Sequence, residues 1–493
     1  MFDVTSGGFK DRRFRSANPP KSNPPAEDDK EAEGKPNLGV WEKLTSPQRA
    51  AAEKLAQEYR EFLSTCKTER TVGSYILQKA KEAGFKDLLG KDTGFKGGYL
   101  THHGKLLGLA TFGGAKERPL DQGFNLIVAH GDSPRLDLKP RCLYEESGLG
   151  LFKSNLYGGL KKFQWLARPL ALWGFAVLKD GREINIRFGE EPGDPVLTIT
   201  DILPHLDSKV QRDKKLIEAF PAERLNVLAG SRAASKGPKN ERVKKALKTL
   251  LLNKWGLEED DLISSELELV PAGPAREVGL DGSLIGGYGQ DDRLSVFVAL
   301  KALLDNPDKN KPALLIVFDR EEIGSYGSTG AETNFVTRLV AAVLEKAGVT
   351  PTWRLVTETL AKSLALSADV EAALDPTFKE VHDELNAALL GHGPCLVRYT
   401  GGAGKYGASE ARAEYMAKIR RLFDENDILW QSTLLGKQEY GGGGTVALSL
   451  AYHGLSVVDC GAPVLSMHSP FEITSKADIY MTLKAMTAFY LKA

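Results

Sequence analysis

Cysteine is scarce in this 493-residue chain: Cys66, Cys142, Cys395 and Cys460 lie far apart, with no CxxC pair among them. That spacing excludes a thiolate zinc site and a disulfide framework, and a reducing cytoplasm is the expected compartment. Long apolar runs are missing as well. The longest, 169–178 and 313–318, fall well short of the roughly 18 residues that a membrane span needs, so no membrane association is expected. The first residues carry charges and prolines where a signal peptide would carry its apolar segment, and Asp3 and Asp11 stand against an organellar transit helix despite Arg12, Arg13 and Arg15. Nor does one sign of charge dominate. Lys plus Arg and Asp plus Glu each number 65, which leaves none of the basic excess that binding to a phosphate backbone requires, and nucleic acid is not an expected partner.

What is present is ordinary globular composition, with 42% hydrophobic and 26% charged residues. Residues 1–40 are the exception: rich in Pro, Asn, Lys, Asp and Glu, they read as a polar, disordered arm. From Ser46 onward Ala51, Leu55, Tyr59 and Phe62 place an apolar stripe on a helix, with Ser46 and Pro47 suited to its N-cap and first turn. Residues 98–112 alternate as a hairpin, and 124–129 form a buried strand ending in His130. Between about Pro140 and Pro271 the text turns aromatic, Gly-rich and β-like, with a basic helical stretch ending in LLNKWGL. Beyond it, apolar runs at 313–318, 364–368, 395–399 and 455–460 alternate with helical patterns, while HDELNAALLGHG (382–393) and the helix 409–423 read as connections with amphipathic faces. This order predicts an α/β fold: a mostly parallel, helix-covered sheet interrupted by a β-rich insertion.

In such sheets ligands bind beyond the carboxyl ends of the strands. His130 and Asp132, then Glu321 and Glu322, then Asp369, and finally His468 all follow apolar runs, while Asp291 and Asp292 open a helix. Taken singly, Asp291 would serve as an N-cap, Glu321 and Glu322 as a solvated pair, and His130 as a buried structural histidine. Together, two His and several carboxylates are the ligands of a paired divalent-metal site, in which one carboxylate bridges the ions. In His-Gly-Asp the Asp132 carboxylate can accept the second ring N–H of His130, and of two adjacent glutamates one can ligate while the other acts as general base.

The segments AHGDSPRLDLKP, YGGLKKFQW, GYGQDDR, FDREEIGS, LSADV, GGGGTVALSLAYHG and LSMHSPFEI resemble, in order, the aspartyl aminopeptidase family of two-zinc metallopeptidases, in its bacterial aminopeptidase I branch. The resemblance runs from about residue 46 to the C-terminus. It implies a zinc aminopeptidase with two Zn²⁺ per chain, acting on peptide substrates. His130, Asp291 and Asp369 hold one ion, Asp291, Glu322 and His468 the other, Glu321 is the base, and Asp132 orients His130. It further implies a catalytic domain in two parts, 41–140 and 269–493, an inserted dimerisation domain over 141–268, and assembly of dimers into a dodecamer. His205, in ILPHLD of the insertion, matches the family segment that reaches a neighbouring subunit's site to stabilise the oxyanion, with a surface hairpin role as its alternative. Two departures stand out. QWLARPL replaces the TWFDRDL-like text of the eukaryotic aspartyl enzymes and puts the preference for acidic N-terminal residues in doubt, and QDDR replaces an LDN-type segment while keeping the bridging Asp.

By the resemblance, the loop YTGGAGKYGAS matches the family segment that contributes to the specificity pocket, so Lys405 is the cation expected to face an acidic substrate side chain, or else a solvated lysine. Gly442 and Gly443, in the run 441–444, read as a loop brought close to substrate ahead of a helix, or as a plain connector; with no following GK[ST], it is no phosphate loop. His102, His103, His382, His392 and His453 are expected in ordinary surface or capping roles. The rival functional reading is a non-catalytic assembly or cargo protein that retains the fold, which the loss of any one ligand would favour.

Overall fold

The computed structural model describes residues 39–92, 97–112, 120–238, 240–305, 312–402, 404–440 and 442–493; the expected arm lies outside them up to residue 38. Among these residues the apolar runs assemble into a nine-stranded sheet in the order 86–87, 97–102, 106–111, 313–318, 125–130, 364–367, 456–461, 395–397 and 431–433. The four strands 313–318, 125–130, 364–367 and 456–461 are mutually parallel, and antiparallel partners flank them at 106–111 and 395–397. Side-chain alternation explains the unbroken hydrophobicity of the central strands. Ile127 and Ala129 enter one core with the helices Ser46–Thr65, Gln290–Leu304 and Lys476–Lys492, while Leu126 and Val128 enter a second core with Phe335–Lys346 and Trp353–Ala361.

The hairpin expected over 98–112 forms from Gly97–His102 and Leu106–Thr111. The first long helix differs from expectation at its start. Thr45, not Ser46, is the N-cap, because the side chain of Gln48 reaches back to the Thr45 backbone and completes a capping box. The stretch 382–393 is not helical: Asp383 closes its own turn through the Leu385 N–H and the Asn386 amide, and Gly391 and Gly393 adopt positive φ. The helix expected over 409–423 begins only at Ala413, since Glu410 bridges Tyr399 in extended conformation.

A second sheet of seven antiparallel strands, in the order 183–188, 170–177, 265–271, 135–146, 149–157, 226–230 and 198–199, has its own core around Trp165, Leu172 and Leu269. It begins at Arg135, ahead of the boundary expected at 141. Pro140 does not separate domains; it falls within one long strand where the register slips between Leu138 and Leu143, a place in a sheet that tolerates proline. The four cysteines are buried free thiols. Among the described residues no helix is long and apolar enough to cross a membrane.

Candidate metal centre

Strand register builds the centre. His130 ends the strand Asn125–His130 opposite Phe318, so the turn carrying Glu321 and Glu322 leaves the sheet beside it, and Asp369 follows the neighbouring strand Leu364–Ser367 on the other side. Asp291 enters from the start of the helix Gln290–Leu304, where its φ and ψ of −81° and 107° are not helical; it caps nothing with its side chain. That position frees the carboxylate. One oxygen, Oδ1, lies 3.3 Å from His130 Nε2, and the other, Oδ2, lies 3.1 Å from His468 Nε2. Asp369 Oδ1 lies 3.7 Å from His130 Nε2, and Glu322 Oε2 lies 3.4 Å from His468 Nε2. Among the described residues, the ligand-atom clusters within 4.8 Å are His130–Asp291–Asp369, Asp291–Glu322–His468 and His130–Glu321–Glu322. The five histidines expected in ordinary roles stand outside these clusters.

Each imidazole is turned by its far nitrogen. His130 Nδ1 meets the Asp132 carbonyl at 3.1 Å and its carboxylate at 3.4 Å, and His468 Nδ1 meets the Gly159 carbonyl at 2.9 Å, so both Nε2 atoms face the carboxylates. Asp132 is fully buried and also receives the Tyr157 hydroxyl at 2.8 Å and the Glu321 and Glu322 N–H groups at 3.2 Å each. Burial, then the Asp132 charge, push the Tyr157 phenol far up, so it stays a donor.

The electrostatics show a cluster short of positive charge. Burial lifts the Glu321 carboxyl to about 8 and drives Glu322 well above its usual range. Burial alone would lower His468, but its hydrogen bond to Asp291 and the charge of Glu322 outweigh this and raise it to about 10. Glu322 Oε1 is buried without a hydrogen-bond partner. Two imidazole nitrogens, a carboxylate with one oxygen toward each, a terminal carboxylate on each side and an unpartnered buried oxygen fit a pair of zinc-type divalent ions.

Two residues at the centre had no role assigned from sequence. Glu472 is buried and accepts the N–H groups of Gln290 at 2.5 Å, Asp291 at 3.2 Å and His468 at 2.7 Å, so one side chain ties down the backbone of the shared carboxylate and of the second histidine. Asp292 accepts the His130 N–H at 3.3 Å, and burial, then the Asp369 charge, push its pKa well up.

Other expected residues lie apart from these clusters. His205 is exposed in a turn of the insertion. Lys405 Nζ is 2.9 Å from Glu410, which Arg398 shares, and lies 4.1 Å from the Tyr399 ring centre. It lines a cavity of about 690 Å³ with His382, Asp383 and Lys437. The helix after the glycine run, Ala447–Ala451, has only five residues and supplies no N-terminal anion site. Gly442 and Gly443 instead lock onto the Lys405 loop: Gly443 accepts the Gly401 N–H at 2.7 Å, and a Cβ on Gly442 would come within 2.8 Å of the Gly402 Cα.

Comparison with known proteins identifies the family. The sequence model of the family described as Aminopeptidase I zinc metalloprotease (M18) matches residues 62–490. A protein of Borreliella afzelii named Probable M18 family aminopeptidase 1 is 44% identical over 454 residues, covering 91% of this chain and 98% of the relative. The crystal structure of an M18 aminopeptidase from Thermotoga maritima superposes with a TM-score of 0.87 at 41% identity, covering 92% of this chain and 99% of that one. The S. cerevisiae mApe1 dodecamer shares the fold, with a TM-score of 0.71 at 23% identity over 89% of this chain and 97% of that one. With the side chains of His130, Asp291, Glu321, Glu322, Asp369 and His468 clustered in one centre and the family match spanning residues 62–490, the protein belongs to the aminopeptidase I (M18) family of zinc metalloproteases.

Proposed function

We propose that the chain is a two-zinc aminopeptidase in which His130, Asp291 and Asp369 hold one ion and Asp291, Glu322 and His468 the other. The observation that carries this reading is the Asp291 carboxylate, whose two oxygens face the two histidines at 3.3 and 3.1 Å. When bound, the ions polarise the scissile carbonyl and acidify the attacking water. Glu321 takes the proton of that water and returns it to the leaving amine. Of the five carboxylates its ion-pair approach is the longest, 4.0 Å to His130, against 3.7 Å for Asp369 and 3.4 Å for Glu322. Asp132 keeps Nδ1 of His130 occupied and its Nε2 facing the site.

The insertion is the dimerisation domain of this reading, and the assembly is a dodecamer in the cytoplasm, as the mApe1 structure is a dodecamer. Leu203, Leu206, Leu216 and Ile217, in the same segment as His205, are 49–74% exposed, apolar surface of the kind that a second copy covers. His205 then serves the partner's site, donating to the oxyanion. Acidic N-terminal residues are accepted only where Lys405 exchanges Glu410 for the substrate carboxylate, with Gly442 and Gly443 backing that loop.

The test is hydrolysis of aminoacyl amides, with free and blocked N-termini, by the zinc-loaded chain, alongside its mass in solution. Turnover confined to free N-termini supports the reading, and cleavage of blocked substrates overturns it. Mixing His205→Ala chains with Glu321→Gln chains should restore partial activity; hybrids that form but stay inactive return His205 to a surface role.

A further inference from the structure

The metal centre lies at the strand ends of the large sheet, yet two of the contacts that orient its ligands come from the insertion. Both belong to one turn. The strand Leu149–Tyr157 ends at Tyr157, whose hydroxyl donates to Asp132 Oδ2 at 2.8 Å, and two residues later the Gly159 carbonyl accepts from His468 Nδ1 at 2.9 Å. Asp132 in turn faces His130 Nδ1 and holds the N–H groups of Glu321 and Glu322. The turn therefore touches the supports of both proposed ion positions.

Three further observations show a turn built for this place. Gly158 has a φ of +72°, and a Cβ there would sit 3.3 Å from Glu322 Cβ and from Pro134 Cα, so the chain passes tightly beneath a ligand in a conformation that favours glycine. The Tyr157 ring is covered by the Arg135 guanidinium at 3.9 Å, and Arg135 is fixed by Glu69, Asp137 and Glu268. His468, the side chain most exposed among the proposed ligands at 37%, sits on a loop with a φ of +62° and needs an external anchor for its ring.

We infer that Tyr157–Gly158–Gly159 is a positioning element of the metal centre: the inserted sheet orients Asp132 through the Tyr157 hydroxyl and His468 through the Gly159 carbonyl. The inference rests on the two-zinc reading. An outer contact of this kind fixes the imidazole tautomer and the carboxylate angle, and its loss typically weakens metal affinity by about 10- to 100-fold.

The test compares Tyr157→Phe with Phe152→Leu, a core change in the same strand at a residue that is 5% exposed. Zinc is titrated into each metal-free chain by calorimetry, melting is followed with and without zinc, and kcat and KM are measured. Tyr157→Phe should bind zinc about tenfold or more weakly, gain less melting temperature from zinc than the wild type, and lose kcat with little change in KM. Phe152→Leu should melt earlier yet keep wild-type zinc affinity. Unchanged zinc affinity in Tyr157→Phe, or an equal loss in both variants, overturns the positioning role. A wild-type chain that binds no zinc overturns the two-zinc reading instead, so the two failures are distinct. Gly158→Ala, which strains the turn while keeping the hydroxyl, should weaken zinc binding in the same direction, and wild-type affinity in that folded variant also counts against the inference.

Discussion

Two buried charged clusters lie close together in this protein, and they are balanced in different ways. In the metal centre, the ion pairs of Asp132, Asp291, Glu321, Glu322 and Asp369 run to His130 or His468. In the cleft between the two sheets, Glu69, Asp137, Glu266, Glu268 and Asp319 meet Lys105, Arg135 and Arg70. The second cluster carries its own permanent cations, which act unevenly: at Glu69 burial is outweighed by Arg135 and Lys105, which hold its carboxyl well below the carboxylate range, while at Glu268 burial outweighs them and lifts its carboxyl. The first cluster has only imidazoles, so its metal-free form holds protons on groups that burial disfavours as ions. Buried acid alone does not mark a metal site. Buried acid matched to titratable imidazole, with no lysine or arginine pairing it, does.

The largest effect on this contrast comes from Asp291→Ala. As the shared ligand, its removal should lose both zinc ions and all turnover, while the ion network and the fold remain; elemental analysis giving two zincs per chain would refute the bridging role. Glu321→Gln should keep both zincs and lose about 10² to 10⁴-fold in kcat, because an amide can neither take nor return the proton. Wild-type kcat in that variant removes Glu321 as the base. Lys105→Met attacks the other cluster: it leaves Glu69 short of a cation and should cost about 3 to 5 kcal/mol of stability, read by denaturant unfolding, with zinc stoichiometry unchanged. A loss of zinc in a stable Lys105→Met chain would merge the two clusters into one.

Acid should separate them next. Because His468 is raised to about 10 in the metal-free chain, zinc must displace its proton, and affinity should fall as pH falls, by about tenfold per unit for each proton displaced. Glu69 works in the opposite sense. With its folded-state pKa depressed, its contribution is present above the unfolded value of about 4.3 and is lost only as pH falls through the lower folded value. Zinc affinity should therefore decline as pH falls from about 10, while the contribution of Glu69 to the melting temperature of the metal-free chain is lost only in stronger acid; loss of both over one pH range would contradict the assignment. The smallest effect belongs to Lys405→Ala. Its pair with Glu410 is 41% exposed on each side, so solvent screens it and it contributes little to stability. Selective loss of kcat/KM for Asp or Glu N-termini would show that substrate displaces Glu410, and equal loss on Leu and Ala substrates would reject an acidic preference.

The parts of this site legible in sequence are those that local rules control. His130, Glu321, Glu322 and Asp369 follow apolar runs, and apolar runs locate strand ends. Asp291 is ambiguous for a physical reason: at a helix start a cap and a ligand share both sequence and non-helical backbone, and only the direction of the carboxylate, toward His130 and His468, distinguishes them. Glu472 and Gly159 were opaque because their work is done across the fold, with Glu472 meeting Asp291 181 residues away and Gly159 meeting His468 309 residues away. No periodicity records such contacts. The second sheet starts ahead of residue 141 because the change in composition near Pro140 falls inside one long strand, at an irregularity in its register.

The four thiols carry a practical consequence. Burial pushes Cys66, Cys142 and Cys460 up to about 12 and Cys395 well above its usual range, and all four are enclosed, so none offers a thiolate to an alkylating probe at neutral pH. The natural chain is thus already a silent background for site-directed labelling. A single cysteine placed at the exposed Leu206 could carry a fluorophore or spin label without removing any native residue, and its signal would report directly on whether another copy sits against that face.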